Sequence, residues 1–523
     1  MVEHTRRTVL RSGGIAVASV PLAGQISPAG AEAAAGTEPI TVGPGDSRYR
    51  SLVLRGYNRR FEGRPEEIRV AMSTEDVVRA VERAVRTGRR VAVRSGGHCF
   101  ENFVDDPSVR VLIDLSGMTE VDYDRRRKAF MVEAGATLGE VYRRLYVEWG
   151  VTIPGGTHPD VGVGGHIAGG GYGVLCRRDG LSVDHLYAVE VVVVDRTGKV
   201  RSVVATREAS DPHRDLWWAH TGGGGGNFGV VTRYWFRSPG KQAALPKPPG
   251  TVLTFSVDWP WAKLDQETFV RLLRNYGEWG ERNSAPGSPM AALYGEFVCS
   301  SRPSENVTLT GQVVTDSGAE RILADLTGAL HRGLDLRPEP KTTTMPWLHA
   351  TRYGFGGGPA PFYRIKIKSG YRRRRFTDAQ AAVAHEQLTR PDFDYGHFFI
   401  NTYGGRVNAV APGATAVAHR DSIFKIGYLV GWEDAKDDDR NLAWIREFYT
   451  KVYAASGGVP AEEGGFGAFI NYPDADLADP RQNESDVPWH ALYYGDGYAR
   501  LQRVKARWDP RNVFHHALSV RSA

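Results

Sequence analysis

The chain has 523 residues, 41% of them hydrophobic and 24% charged. This length is too great for one ordinary hydrophobic core, so two or three domains are expected, and the composition is typical of a folded globular protein. The net charge is only +6, and the basic run from Arg372 to Arg375 lacks interleaved aromatic residues, which argues against nucleic-acid binding.

The three cysteines, Cys99, Cys176 and Cys299, are too few for a disulfide framework and form no C-x-x-C pair. Histidine spacings typical of zinc sites are also missing from the sequence, so no metal site is predicted.

The first residues have the arrangement of an export signal. Arg6 and Arg7 precede a weakly apolar stretch and an alanine-rich segment, as in twin-arginine signals. We therefore expect residues 1–35 to be such a signal, cleaved near Ala31 to Ala35, and the mature protein to be secreted or extracytoplasmic. The alternative is a frayed basic N-terminus on a cytoplasmic protein. No later run reaches the roughly 18 apolar residues that span a bilayer, so no membrane association is expected after export.

Helices and strands alternate through the first half of the chain. Val77, Val81 and Ala84 recur at helical spacing after Ser73, which predicts a helix with a capping serine at its start. A second helix is predicted over 137–149, strands over 89–97, 111–116, 129–136 and 230–236, and a hairpin over 185–206. This pattern indicates an α+β or α/β domain over residues 41–240.

Pro, Gly and Lys residues over 238–251 predict a domain boundary. Beyond the boundary, strands are predicted at 251–259, 290–300, 307–315 and 423–433, with helices at 266–279 and 442–456. These elements indicate a strand-rich second domain over 241–465. The remaining segment, 466–523, contains a predicted helix from Tyr498 to Lys505 and is short enough to pack back onto the first domain.

The stretch GGTHPDVGVGGHIAGGGYG (Gly155–Gly173) is dense in glycine. Glycine loses more conformational entropy on folding than any other residue, so this density indicates positive φ angles or close approach of the backbone to a ligand. A flexible linker is the alternative, but interleaved residues such as Ile167 and Tyr172 are not typical of one. A loop pressed against a large flat or anionic cofactor is the favoured interpretation.

A second glycine-rich stretch, TGGGGGNFG, contains a G-x-G-x-x-G match at Gly224, Gly226 and Gly229. A dinucleotide fingerprint requires a strand before the match and a helix after it, whereas here a helix is predicted at 215–220 and a strand follows. The order is reversed, so we reject a Rossmann site. The motifs of P-loop proteins and α/β-hydrolases are absent from the sequence.

Four separated stretches together resemble the berberine bridge enzyme-like flavoprotein oxidases of the vanillyl-alcohol oxidase superfamily. They are RSGGHCFENF (94–103), PGGTHPDVGVGGHIAGGGYG, TGGGGGNFGVVT and YYGDGYARLQRVKARWDPRNVF (493–514). The resemblance covers the chain from about Thr41 onwards. It implies an α+β, two-domain FAD-binding fold, in which 41–240 and 466–523 form the FAD domain and 241–465 forms a mixed-sheet substrate domain.

The resemblance implies that FAD lies against the glycine loops, whose backbone N–H groups can hold a pyrophosphate. His98 matches the histidine that this family joins covalently to the flavin. His166 matches a further family position, where a structural role is favoured over proton transfer. The expected FAD-binding residues are Arg94, Ser95, Gly96, Gly97, His98, Gly155, His158, Gly162, Gly165, His166, Gly169, Gly170, Gly226, Asn227, Gly229, Val230 and Tyr498.

The glycine-rich loop departs from the family at one position. Bicovalent members carry a cysteine, bonded to the flavin, where this chain has His158. An imidazole is not expected to form that thioether, and Cys176 lies well beyond the loop, where it is expected to be a small buried hydrophobe. A single covalent link through His98 is therefore expected.

Tyrosines are the expected catalytic bases. In family members that oxidise sugar hydroxyls, tyrosines from two of the stretches are the acid/base candidates, and they correspond to Tyr172 and Tyr498, with Tyr493 and Tyr494 as substitutes. An ordinary tyrosine has a pKa of about 10, so a nearby cation or hydrogen bond must stabilise its phenolate. Each tyrosine could instead simply pack on the cofactor.

Alkaloid-oxidising relatives use a glutamate from a substrate-domain strand. The corresponding segment here has Asn408, also a catalytic candidate, near the expected position, and it has no acid between Gly404 and His419. The resemblance therefore favours a tyrosine-based alcohol oxidase.

The expected function is oxidation of an alcohol carbon by FAD and oxygen, with release of hydrogen peroxide. The small-molecule substrate is expected to be a sugar hydroxyl on a glycosylated natural product or an oligosaccharide, because the chain resembles bacterial hexose oxidases that act on antibiotic sugars. One alternative is oxidative tailoring or cyclisation of a polyketide or alkaloid scaffold. Another is a flavin-holding protein that binds a ligand or steers a cyclisation without net redox turnover.

Overall fold

Three large β-sheets carry the fold, which is seen in a computed structural model that describes residues 40–240, 244–353 and 364–523. The described residues belong to one compact unit. The expected signal, residues 1–35, lies outside the described residues. Over the described ranges, no helix is both long enough and apolar enough to cross a membrane.

Two of the large sheets come from residues 40–236. The elements are β1 (Ile40–Val42), α1 (Tyr49–Val53), β2 (Glu67–Val70), α2 (Thr74–Thr87), β3 (Val91–Arg94), β4 (Val111–Asp114), β5 (Val121–Asp124), β6 (Ala129–Glu133), α3 (Leu138–Trp149), α4 (Val163–Ala168), α5 (Cys176–Asp179), β7 (Leu186–Val194), β8 (Val200–Thr206), α6 (Arg214–Ala219) and β9 (Val230–Phe236). The order β1-β2-β4-β3 forms a mixed sheet, and the order β5-β6-β9-β7-β8 forms an antiparallel one.

Helix α2 shows how the local sequence sets these elements. Ser73 Oγ accepts the N–H of Asp76 at 3.2 Å, which caps the helix at its start, and Gly88 ends it at a φ of +64°. Val77 and Val81 are fully buried on the face that packs against the sheets. The helix predicted from Ser73 is confirmed, because its cap and its apolar spacing act together.

The third large sheet comes from the middle of the chain. The elements that follow are β10 (Thr251–Pro260), α7 (Gln266–Asn283), β11 (Leu293–Ser300), β12 (Asn306–Val313), α8 (Ala319–Leu330), β13 (Lys341–Pro346), α9 (Trp347–Tyr353), β14 (Arg364–Arg372), α10 (Asp378–Leu388), β15 (Gly396–Thr402), β16 (Phe424–Trp432), α11 (Asp438–Val452), β17 (Ala461–Glu462), β18 (Gly465–Phe466), α12 (Trp489–Tyr494) and α13 (Tyr498–Trp508). The sheet has the order β13-β10-β12-β11-β15-β16-β14.

Every neighbouring pair in this seven-stranded sheet is antiparallel. The sequence predicted a mixed sheet here, but the mixed sheet is the one that contains β1 to β4. For β11 and β12 the connection accounts for the antiparallel pairing, because residues 301–305 are far too few for the crossover that a parallel pair requires.

The segment after β18 packs against the first part of the chain. In α13, Arg500 forms a 2.5 Å ion pair with Asp215 of α6, and Lys505 Nζ donates to the Asn227 carbonyl at 2.8 Å. These contacts bring the end of the described chain to the glycine stretch that follows α6. The domain boundaries near 240 and 465 stay predictions.

Candidate active site and cofactor cavity

A cavity of about 400 Å³ lies where the glycine loops, the seven-stranded sheet and the C-terminal segment meet. Its walls come from the loop after β3, the stretches 156–173 and 224–231, strands β11, β15 and β16, and residues 469–473 and 514–516. Elements from every part of the described chain therefore contribute to one site.

The glycine loops form the part of the wall that would hold FAD. A Cβ on Gly96 would collide with the backbone nitrogen of Gly162, and a Cβ on Gly162 would collide with that of Gly96, so both positions require glycine. A Cβ on Gly165 would meet no atom within 4 Å and would fill open space. Over the described residues, the backbone N–H groups of Gly96, Gly97 and His98 donate no hydrogen bond. Unpaired N–H groups on a loop of this kind fit the pyrophosphate and ring oxygens of FAD.

Most of the expected FAD-binding residues line this cavity. They are Arg94, Ser95, Gly96, Gly97, His98, His158, Gly162, Gly165, His166, Gly226, Asn227, Gly229 and Val230. Gly155, Gly169 and Gly170, which were also expected to bind FAD, are not part of the cavity lining. Gly155 allows the Tyr142 hydroxyl to approach, since a Cβ there would lie 2.6 Å from the hydroxyl oxygen, and Gly169 faces the Asn471 side chain.

His98 lies in an aromatic group at the cavity wall. Its ring stacks on Tyr57 with 4.6 Å between ring centres, and the ring of His158 lies 4.9 Å away. Burial, with a smaller contribution from His158, lowers the pKa of His98 to about 4. The imidazole of His98 is therefore neutral at pH 7, the form whose nitrogen lone pair can react with an electrophile.

His166 makes a structural contact. Its Nε2 accepts the backbone N–H of Gly156 at 3.0 Å, and burial lowers its pKa to about 4. Asn471 Nδ2 donates to the His166 carbonyl at 3.0 Å. The geometry thus supports the structural interpretation of this histidine, which joins two cavity loops.

Tyr172 is the predicted base that lines the cavity. Its hydroxyl donates to the Thr402 carbonyl at 2.7 Å, and burial raises its pKa well above the ordinary value. Lys425 Nζ lies 5.0 Å from the centre of its ring. The cation that a phenolate would need is therefore beside this tyrosine.

Tyr498 and Tyr494 lie outside the cavity lining. The hydroxyl of Tyr498 accepts the backbone N–H of Arg521 at 3.2 Å, and its ring stacks on His490 with centres 3.9 Å apart. Tyr494 donates to the Gly223 carbonyl at 3.2 Å. Both tyrosines are kept out of the cavity because α12 and α13 dock near α6. Their rings therefore lie on the side of the glycine stretch that faces away from the cavity.

Tyr493 and Asn408 are also outside the lining of the large cavity. The Tyr493 hydroxyl accepts the backbone N–H of Asp474 at 3.0 Å. Asn408 Nδ2 donates to the Ser422 carbonyl at 2.9 Å. Both side chains hold loops together, and neither points a polar group at the cavity.

Several polar cavity residues were not identified from the sequence, among them Lys425, Tyr472, Glu296 and Asn401. Lys425 Nζ lies 4.3 Å from the ring centre of Tyr472, and burial lowers the pKa of Lys425 to about 7. Burial raises the pKa of Tyr472 above its ordinary value. Strand alternation could have placed Lys425 and Glu296 on one face, but the sequence alone does not indicate which face borders the cavity.

A buried ion network positions the loop that carries Tyr472. Lys366 Nζ, on β14, lies 3.0 Å from Glu101 Oε2 and 2.7 Å from Asp474 Oδ1. Lys368 Nζ lies 2.6 Å from Asp474 Oδ2 and 3.0 Å from Asp476 Oδ2. The network thus joins the loop after His98, the seven-stranded sheet and the 472–476 loop.

Comparison with known proteins agrees with this arrangement. Residues 65–203 match the model of an FAD binding domain, and residues 468–521 match that of berberine and berberine-like proteins. The aclacinomycin-N/aclacinomycin-A oxidase of Streptomyces galilaeus is 50% identical, over 98% of this chain and 95% of its own. The hexose oxidase of Chondrus crispus is 32% identical, over 91% and 93%.

A solved structure repeats the fold. The crystal structure of a glycopeptide hexose oxidase complexed with teicoplanin superposes with a TM-score of 0.88 at 51% identity, covering 93% of this chain and 99% of that one. These three relatives cover 91 to 98% of this chain, and each is named as an oxidase. The chain therefore belongs to the berberine bridge enzyme-like family of FAD-linked oxidoreductases, whose members are built on the vanillyl-alcohol oxidase fold.

Proposed function

We propose that this protein is an FAD-dependent oxidase that converts a sugar hydroxyl, on a glycosylated natural product or an oligosaccharide, into a carbonyl. The single observation that carries the proposal is the cavity itself, which combines an FAD-fitting glycine wall with a polar wall of Tyr172, Tyr472, Lys425 and Glu296. The names of the aclacinomycin and hexose oxidases support the same class of substrate.

The reaction needs a base, a cofactor and a fixed pose. FAD held along the glycine wall of the cavity would supply the acceptor for the hydride of the carbinol carbon and the route by which the electrons reach oxygen as hydrogen peroxide. Tyr472 accepts the hydroxyl proton at its phenolic oxygen, and Lys425 stabilises the phenolate from its position beside the ring.

His98 carries the flavin through a single covalent bond. The neutral imidazole at the cavity wall supports this role, and so does its stacking on Tyr57. The ring of His158 stands beside it, where bicovalent relatives carry the second attachment, and an imidazole does not form that thioether. The flavin is accordingly attached at one point only.

Residues 1–35 direct the folded protein through the twin-arginine route to the outside of the cytoplasm. The paired Arg6 and Arg7 support this proposal. Replacing both with lysine should retain the protein in the cytoplasm, as measured by cell fractionation. Equal export of the variant would contradict the proposal.

The test of function starts with the visible spectrum of the purified protein, in which a flavin band is expected. Oxygen consumption and peroxide release are then measured with aclacinomycin A, teicoplanin and D-glucose. A product two mass units lighter than its substrate is expected, or fourteen heavier for oxidation of an alcohol to an acid. Absence of the flavin band contradicts the assignment, and turnover only of sugar-free polyketides or alkaloids favours scaffold tailoring instead.

A further inference from the structure

A row of three polar residues crosses the cavity face of the seven-stranded sheet. Glu296 of β11 stands opposite Asn401 of β15, and Asn401 stands opposite Lys425 of β16. Directly opposed residues of adjacent strands present their side chains on the same face. All three line the cavity, so the row forms one wall of the substrate space.

The two carboxylate oxygens of Glu296 are used differently. Oε2 accepts hydrogen bonds from Asn401 Nδ2 and from the Tyr294 hydroxyl, the latter at 3.2 Å. Oε1 accepts no hydrogen bond from the described residues. One oxygen thus fixes the carboxylate in place, and the other is available to the cavity.

Lys425 does not neutralise Glu296 by direct contact. No ion pair joins them in the described parts of the chain, and Asn401 lies between them. Adjacent strands are about 4.8 Å apart, so the two backbones are separated by roughly 10 Å. Lys425 Nζ instead lies against aromatic rings, including Tyr472 and Tyr172. A negative acceptor and a positive base-stabilising group therefore stand at opposite ends of the row.

We infer that Glu296 selects substrates with vicinal hydroxyl groups. While Tyr472, next to Lys425, takes the proton of the hydroxyl to be oxidised, Oε1 of Glu296 accepts a hydrogen bond from a neighbouring hydroxyl of the same sugar ring. This inference rests on the proposed function and deepens it, since it names the group beside the oxidised carbon that the protein recognises. Glu296 is a specificity-determining residue, and it does not accept the proton of the oxidised hydroxyl.

The test measures anaerobic flavin reduction by four probes: D-glucose and its 2-deoxy, 3-deoxy and 4-deoxy analogues. Removal of the recognised hydroxyl breaks a hydrogen bond to a charged group. In the wild type we therefore expect the second-order rate constant with that analogue to be about 10- to 100-fold lower than with D-glucose. In Glu296→Ala, the ratio of the rate constant with D-glucose to that with this analogue should fall to about one. Glu296→Gln keeps the side-chain volume and an acceptor, so it should lose only part of the discrimination.

Asp258→Ala is the matched control, because Asp258 is a carboxylate on β10 of the same sheet that pairs with exposed Lys341 at 2.9 Å. Asp258→Ala should leave the ratio of the rate constants with D-glucose and the deoxy analogues unchanged. The inference is overturned if both Glu296 variants reduce the rate constants of all four sugars by the same factor, so that the ratio between D-glucose and the deoxy analogues stays as in the wild type. That outcome would leave sugar oxidation itself intact. If none of the four reduces the wild-type flavin, hexose oxidation itself is contradicted, and this inference fails with it.

Discussion

Tyr172 and Tyr472 differ in what their hydroxyl groups contact. The Tyr172 hydroxyl donates to the Thr402 carbonyl, so ionisation would set a phenolate oxygen against a carbonyl oxygen. Tyr472 makes no such bond with the described residues, and its ring lies closer to Lys425 Nζ, at 4.3 Å against 5.0 Å. The structure therefore favours Tyr472 as the base and Tyr172 as the residue that confines the substrate.

The variants Tyr472→Phe and Tyr172→Phe test this division. Loss of a general base typically slows the reaction by about 10²- to 10⁴-fold, so Tyr472→Phe should slow anaerobic flavin reduction by that amount. Tyr172→Phe should cost less than about tenfold, since it removes only the contact with the Thr402 carbonyl. Stopped-flow reduction under saturating substrate measures both, with flavin content as the control. A larger loss in Tyr172→Phe would reverse the two roles.

The flavin attachment can be tested at His98 and His158. If the proposed single bond is to His98, acid precipitation should release all the flavin from His98→Ala, whereas His158→Ala should retain it like the wild type. A flavin-labelled proteolytic peptide from the wild type should contain His98. Flavin found on a peptide that contains His158 or Cys176 would refute the single link.

Strand β14 acts as an anchor for the 472–476 loop. Lys366 and Lys368 both point to the side where Glu101 and Asp474 lie, because residues two apart on a strand share a face. All four side chains are buried. A buried charge that loses its partner remains desolvated without compensation. Strand β14 and the 472–476 loop therefore stabilise each other.

Replacing Lys366 by Met should lower the free energy of unfolding by about 3 to 5 kcal/mol, the usual cost of leaving buried charges unpaired. Lys451→Met is the control, because Lys451 forms exposed ion pairs with Glu447 and Glu386 at 2.9 and 3.3 Å, which are worth about 0.2 to 1 kcal/mol at most. Urea unfolding of the flavin-loaded proteins measures both. Equal losses would show that the network adds nothing beyond a surface ion pair.

Elements with a local signal were predictable from the sequence, and those set by tertiary contacts were not. Helix α2 has its own cap and apolar face, and the β7–β8 hairpin has Asp195, whose carboxylate accepts the N–H of Thr197 at 2.8 Å. The choice between Tyr498 and Tyr472 depends instead on how α12 and α13 dock against α6. That docking is a long-range contact without a periodic pattern in the sequence.

The buried Lys425 makes the stability of the folded protein depend on pH. The pKa of Lys425 is 10.5 when exposed and about 7 in the folded protein, because burial disfavours the charged form. Between these values the unfolded chain binds one more proton at this site than the native state. The contribution of Lys425 to stability therefore rises with pH from about 7 to 10 and is flat below 7.

Comparison with Lys425→Met isolates this contribution. The stability of the wild type relative to the variant should rise by roughly 1.4 kcal/mol per pH unit over this window. Urea unfolding of both proteins at several pH values between about 7 and 9 measures it, because tyrosines stay protonated there in the unfolded chain and burial raises the pKa of Tyr172 and Tyr472 further in the folded protein. A difference that does not change with pH would contradict a depressed lysine pKa.

The ion network and the cavity also determine when, during synthesis and folding of the chain, the cofactor can be enclosed. The cavity receives Tyr472 after the sheet and glycine loops have been synthesised, and Phe514 to His516, also part of its lining, emerge later still. Glu101 pairs with Lys366 and accepts the backbone N–H of Ala475, and the ribosome adds both residues hundreds of positions later. The cofactor can therefore be enclosed only after nearly all of the described chain has left the ribosome. The proposed twin-arginine signal is compatible with this order, because that route carries proteins across the membrane after they have folded.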